Sequence, residues 1–112
     1  MLPHNVTAVV ARNEIWAGLA ATEPYECGWA REAVIFVRAL RVVDMPDTVP
    51  GQVQISPDGM HWADEGTILF LPTNEEDVAF ARVTGFGGWL RLVAELPEGA
   101  EISVLVTLHL KA

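Results

Sequence analysis

The sequence predicts an all-β protein, an antiparallel β-sandwich with jelly-roll-like connections, and three observations carry that expectation. Near the C-terminus Ile102, Val104, Val106, Leu108 and Leu110 alternate with Ser103, Leu105, Thr107, His109 and Lys111, the period of a half-buried strand. Further runs rich in β-branched residues recur along the chain, separated by connectors with turn chemistry at residues 44–51, 72–77 and 97–99. The one alanine-rich stretch, residues 13–31, is interrupted by Gly18, Pro24 and Gly28, so short strands or irregular structure are expected there. Many short strands with regularly spaced turns point to two packed sheets.

Taken in order, residues 6–11 and 32–43 are apolar at both parities of the alternation. In EAVIFVRALRVV, Ala33, Ile35, Val37 and Ala39 interleave with Val34, Phe36, Arg38 and Leu40. Its β-branched content favours a strand over a helix, and a strand apolar on both sides needs cover on both faces. Shorter strands are expected at 52–56, 60–63, 67–71, 78–86 and 89–96. No repeat, low-complexity tract or linker divides the chain, so residues 1–112 are read as a single domain.

Composition narrows the function classes. Fifteen acidic against seven basic residues give a formal charge of −8, which disfavours nucleic acid as a partner. The chain lacks a basic leader, and no run approaches the ~20 apolar residues of a membrane span. A soluble, cytoplasmic protein is therefore expected. The single Cys27 excludes an internal disulfide framework and is compatible with a reducing compartment.

The chemical inventory is thin. His4, His61 and His109 lie far apart in sequence and show no metal-ligand spacing. Cys27 is expected to be a small, partly buried thiol, and the acidic groups at 58, 64 and 65 and at 75–77 lack the spacing of a calcium loop. No catalytic residue, metal site or cofactor is assigned.

The stretch VQISPDGMHWADEG, residues 53–66, carries the clearest turn. Pro57 pre-sets a type I turn, Gly59 suits a left-handed position, and the Ser56 hydroxyl can close the loop. Val53, Gln54, Ser56, Asp58, Gly59 and Trp62 resemble the "S-x-D-G-x-x-W" hairpin of discoidin-like, galactose-binding-like β-sandwich modules. The later GGWLRLVAEL and ISVLVTLHL look like their closing strands. While Trp62, an aromatic beside the turn tip, could stack against a sugar or another ring, the resemblance itself implies only the hairpin and a sandwich. It assigns no binding residue, and this chain is shorter than such modules and lacks their paired cysteines.

Gly87-Gly88 between two β-like runs reads as a two-residue hairpin signal. That register sets Phe86 opposite Trp89, Thr84 opposite Arg91 and Arg82 opposite Val93. Ala81, Val83, Leu90, Leu92, Ala94 and Leu96 then face the core. Phe80, Arg82, Phe86, Trp89 and Arg91 share an outward face suited to contact. With Trp62, the residues Phe86, Trp89, Arg82 and Arg91 are the candidate ligand or interface residues.

A high apolar load in a small chain, 51% of residues, implies that one face meets another chain. Val34, Phe36, Leu40 and Val42 are the candidates for that interface. The leading expectation is a non-catalytic binding or structural module that forms a closed homo-oligomer, a dimer or trimer. The alternatives are a carbohydrate-binding module using Trp62 or Trp89, and a small jelly-roll enzyme whose site is dispersed in sequence.

Overall fold

The computed structural model describes residues 5–112. Nine strands follow one another: β1 (Asn5–Trp16), β2 (Leu19–Ala21), β3 (Tyr25–Glu26), β4 (Glu32–Val43), β5 (Pro50–Ser56), β6 (Ala63–Phe70), β7 (Val78–Thr84), β8 (Trp89–Glu95) and β9 (Glu101–Lys111). The first sheet has the order β1-β9-β4-β7; the second has β2-β8-β5-β6, with β3 also paired to β8. With β2 and β3 counted as two halves of one strand, first pairs with last, second with next to last, and so inward to β5 with β6. A long ribbon folded this way and wrapped into two sheets is a jelly roll. The protein is an all-β antiparallel sandwich of that kind.

Alternation explains the interior. Ile35 and Val37 from β4, Val83 from β7 and Val104 and Val106 from β9 meet Val53, Leu90, Leu92 and Leu69 from the second sheet in one buried cluster. Each such side chain contributes about 1.5–3 kcal/mol relative to an exposed one. At Gly51 the sheet has no room for more. A Cβ there would lie 2.9 Å from the Leu69 carbonyl oxygen and 3.1 Å from Leu92 Cδ1.

Several expectations need correction. The Gly87-Gly88 hairpin does not form: β7 pairs with β4 in the first sheet, while β8 pairs with β5, β2 and β3 in the second. The connector takes the chain from one sheet to the other, with Gly85 at φ 64° and Gly87 at φ 77°, conformations that glycine adopts without a Cβ clash. Phe86 is consequently turned into the core, 3% exposed. The inward set survives, since Ala81, Val83, Leu90, Leu92, Ala94 and Leu96 are all buried. The outward set is split, because Arg82 and Arg91 stand on opposite sides of the sandwich.

Strand β4 has the expected range, but Leu40 is an extra residue between Ala39↔Val104 and Arg41↔Ser103. Such a bulge reverses the parity beyond it. Arg41 therefore points outward with Ser103, while Val42, opposite buried Ile102, packs against the core. Val42 leaves the expected outer set. The two strands expected at 60–63 and 67–71 are one strand, β6, irregular around Gly66. Residues 13–31 contain the end of β1, then β2 and β3. Between those two short strands Thr22 keeps β8 paired, its Oγ1 accepting the Leu92 amide at 3.0 Å and its own amide donating to the Leu92 carbonyl.

Candidate functional site

The outer face of the first sheet is where apolar groups are left without cover. On β4 the residues facing away from the core before the bulge are Val34, Phe36 and Arg38, aligned with Arg82, Phe80 and Val78 of β7 on one side and with His109, Thr107 and Leu105 of β9 on the other. Phe36 sits at the centre. Its ring lies 6.0 Å from that of Phe80 and meets the His109 imidazole edge-on at 5.2 Å, both within the range of favourable aromatic pairs. Phe80 remains 52% and Val78 54% exposed.

These side chains form an open groove of about 470 Å³, walled by Val34, Phe36, Val78 and Leu105 and bounded by Arg38 and Lys111. Arg82 stacks over Phe80, 5.1 Å from the ring centre. Arg38 pairs with Glu76 in the turn that precedes the edge strand β7. Val34, Phe36 and Arg82, expected from sequence as contact residues, are thus brought together here. Leu40 lies at the bulge beside them. Val78, Phe80, Leu105 and His109 complete the surface; the signal for them was the same alternation, read across neighbouring strands.

The outer face of the second sheet holds the other candidates. Gln54 bridges two strands, accepting Arg91 Nε at 2.8 Å on Oε1 and donating from Nε2 to Asp64 at 2.9 Å. The Arg91 guanidinium stacks on Trp62, 4.2 Å from the ring centre, a cation–π contact; partial burial lowers the Arg91 pKa. Trp89 lies under the adjoining turn, where a Cβ on Gly59 would come within 3.2 Å of its indole. Each of the two half-buried tryptophans thus has a contact with the protein's own residues.

The Ser-Pro-Asp-Gly turn is held by two side chains. Ser56 Oγ accepts the amides of Asp58 and Gly59, and Asp58 Oδ1 accepts those of Met60 and His61 at 2.8 and 2.9 Å. Those two amides and the His61 ring, 2.7 Å from Asp58 Oδ2, hold the Asp58 carboxyl well below the usual carboxylate range. The pair is exposed on a loop tip, not enclosed in a cleft.

Cys27 is fully buried, and burial followed by the nearby Glu26 charge pushes its thiol up to about 11. A thiol held protonated is a poor nucleophile. His109 Nδ1 is 3.5 Å from Thr7 Oγ1, and His4 lies outside the described residues. Among the described residues no group of three or more His, Cys, Asp or Glu side chains is placed to hold a metal ion, and no helix is long and apolar enough to cross a membrane.

Comparison with known proteins supports the architecture. No family model matches the chain, and no curated protein matches it. Among solved structures it is similar to the crystal structure of the SPBc2 prophage-derived protein YomS, with a TM-score of 0.60 and 10% sequence identity, covering 100% of this chain and 96% of that one. At that identity the likeness is one of fold.

Proposed function

We propose that the protein is a non-catalytic β-sandwich module that self-associates through the outer face of its first sheet, and that it works in the cytoplasm as a binding or structural unit. The jelly roll alone does not choose among functions, since it serves capsids, lectins and cupins alike. The observation that carries this reading is the Phe36 groove, an apolar surface that runs from the central strands β9 and β4 to the edge strand β7. Its apolar side chains, Val34, Phe36, Val78 and Leu105, have no hydrogen bonds to offer water, so their burial is favourable. A sheet of four strands up to twelve residues long offers on the order of 700 Å², close to one side of a standard protein interface.

The test is the mass of the unaltered protein by sedimentation or light scattering at micromolar concentration. An oligomer that Phe36→Asp dissociates into a folded monomer supports the reading; a monomer for the unaltered protein overturns it. The glycan-binding alternative is less well supported, because Arg91 occupies the Trp62 ring and the Gly59 turn covers Trp89.

A further inference from the structure

The groove could receive the same face of a second copy or a different face, and charge decides between them. Arg12, Arg38, Arg41, Arg82 and Lys111, five of the chain's seven Lys and Arg residues, all project from the outer face of the first sheet. Their side follows from register: Arg12 pairs with Leu105, Arg41 with Ser103 and Lys111 with Glu32, each partner pointing away from the core. Glu32 and Glu101 are the acidic strand residues on that side, and Glu76, in the turn before β7, pairs with Arg38, so the cations still outnumber the carboxylates there. A protein of net charge −8 has thus gathered its positive charge around its apolar groove.

Face-to-face pairing by a two-fold axis would set this cationic surface against its own copy. Like charges brought together at an interface oppose association. The outer face of the second sheet is the complement. It presents Glu26, Asp64 and Glu95, and its Arg91 is already engaged by Gln54 and Trp62. It also has apolar groups to bury: Ile68 is 49% and Phe70 56% exposed, and Leu19 stands across from Glu95. Between them lies a shallow hollow of about 280 Å³ lined by Leu19, Pro50, Gln52 and Val93.

We infer that the basic apolar face of the first sheet docks on the acidic apolar face of the second sheet of another copy, so that chains associate head to tail. The inference rests on the self-association proposed above and specifies its mate. Such a contact is heterologous: each copy uses one face and leaves the other available, so the assembly closes as a ring if the rotation permits and otherwise extends.

Two variants separate the possibilities. Val78→Gln with Phe80→Gln removes the apolar groups of the basic face, and Ile68→Gln with Phe70→Gln those of the acidic face. All four positions are about half exposed or more. Folding is checked by far-UV circular dichroism and a cooperative melt, and where a double variant fails to fold, its Phe80→Gln or Phe70→Gln half replaces it. Each variant alone should associate about a hundredfold more weakly than the unaltered protein, from two lost apolar contacts. Mixed in equal amounts, they should form a two-chain complex and nothing larger, joined through the two intact faces. Association of the unaltered protein should also weaken severalfold as salt rises from about 50 to about 500 mM, since attraction between opposite charges is screened.

A second-sheet variant that keeps the full mass on its own would show that the first sheet mates with itself. A mixture that stays monomeric while the unaltered protein associates, or association that strengthens with salt, would equally overturn the inference. An unaltered protein that is itself monomeric would instead remove the self-association on which the inference stands.

Discussion

The two outer faces of this sandwich are made by the same alternation and differ in what their central strands place on it. On the first sheet, β4 and β9 put Val34, Phe36, Leu105 and Thr107 outward. On the second, β5 and β8 put Gln52, Gln54, Arg91 and Val93 outward, and Gln54 ties Arg91 to Asp64 across three strands. Polar groups satisfied within one chain make a finished surface. On both sheets exposed apolar residues stand on an edge strand, Val78 and Phe80 on β7 and Ile68 and Phe70 on β6, but only on the first sheet do they continue into an apolar centre at Val34, Phe36 and Leu105. On both faces the aromatic and cationic groups engage one another, Arg82 with Phe80 and Arg38 with Glu76 on the first sheet, Arg91 with Trp62 and Gln54 on the second; the faces differ in the apolar residues between them.

The largest effect should come from the centre of the first sheet. In the proposed assembly Phe36→Asp is expected to raise the dissociation constant at least a hundredfold, measured by sedimentation equilibrium, because it removes the central aromatic contact and sets a carboxylate toward the acidic face of the other copy. Glu75→Lys, in an exposed turn, should leave mass and melting temperature unchanged.

On the second sheet the sensitive position faces inward. Gly51→Ala is expected to cost about 1–3 kcal/mol in urea denaturation, since the new methyl meets the Leu69 carbonyl and Leu92 with no space to relax. Its outer face should be more tolerant. Trp62→Ala should lower stability by about 0.5–1 kcal/mol through loss of the Arg91 stack, visible as a small fall in melting temperature with the fold intact.

The smallest effect belongs to the Asp58 turn and depends on pH. The folded chain holds this carboxyl below its ordinary value, so the unfolded chain takes the proton first. The turn's contribution is complete above the unfolded pKa of about 4 and is lost as pH falls through the folded value. Asp58→Asn should flatten the decline of stability below pH ~4 in acid melts; an unchanged slope would place the decline on other carboxylates.

The extent of β4, the polarity of β9 and the inward set on β7 and β8 were legible because alternation is a local property. So was the Ser56 and Asp58 loop, whose hydrogen bonds span two or three residues. The hairpin at Gly87-Gly88 was not, because a glycine pair permits a tight turn and a crossover equally. Which one forms depends on β4 and β5, each more than thirty residues away, competing to pair with the two strands. Phe86 changed sides with that choice. Val42 changed sides for a smaller reason, one extra residue at Leu40, which a regular pattern does not announce.

By itself the sequence determined that this is a strand-built chain with an apolar interior, an acidic balance and a strand, β4, apolar at both parities. Those are sums and short-range periods, set residue by residue. Only the tertiary structure decided that Arg82 and Arg91 lie on opposite faces, that Arg91 stacks on Trp62 while the Gly59 turn meets Trp89, and that five of the cations share the face of Phe36. Strand order brings those residues together or apart, and strand order comes from long-range pairing in which many sequence-distant contacts form together.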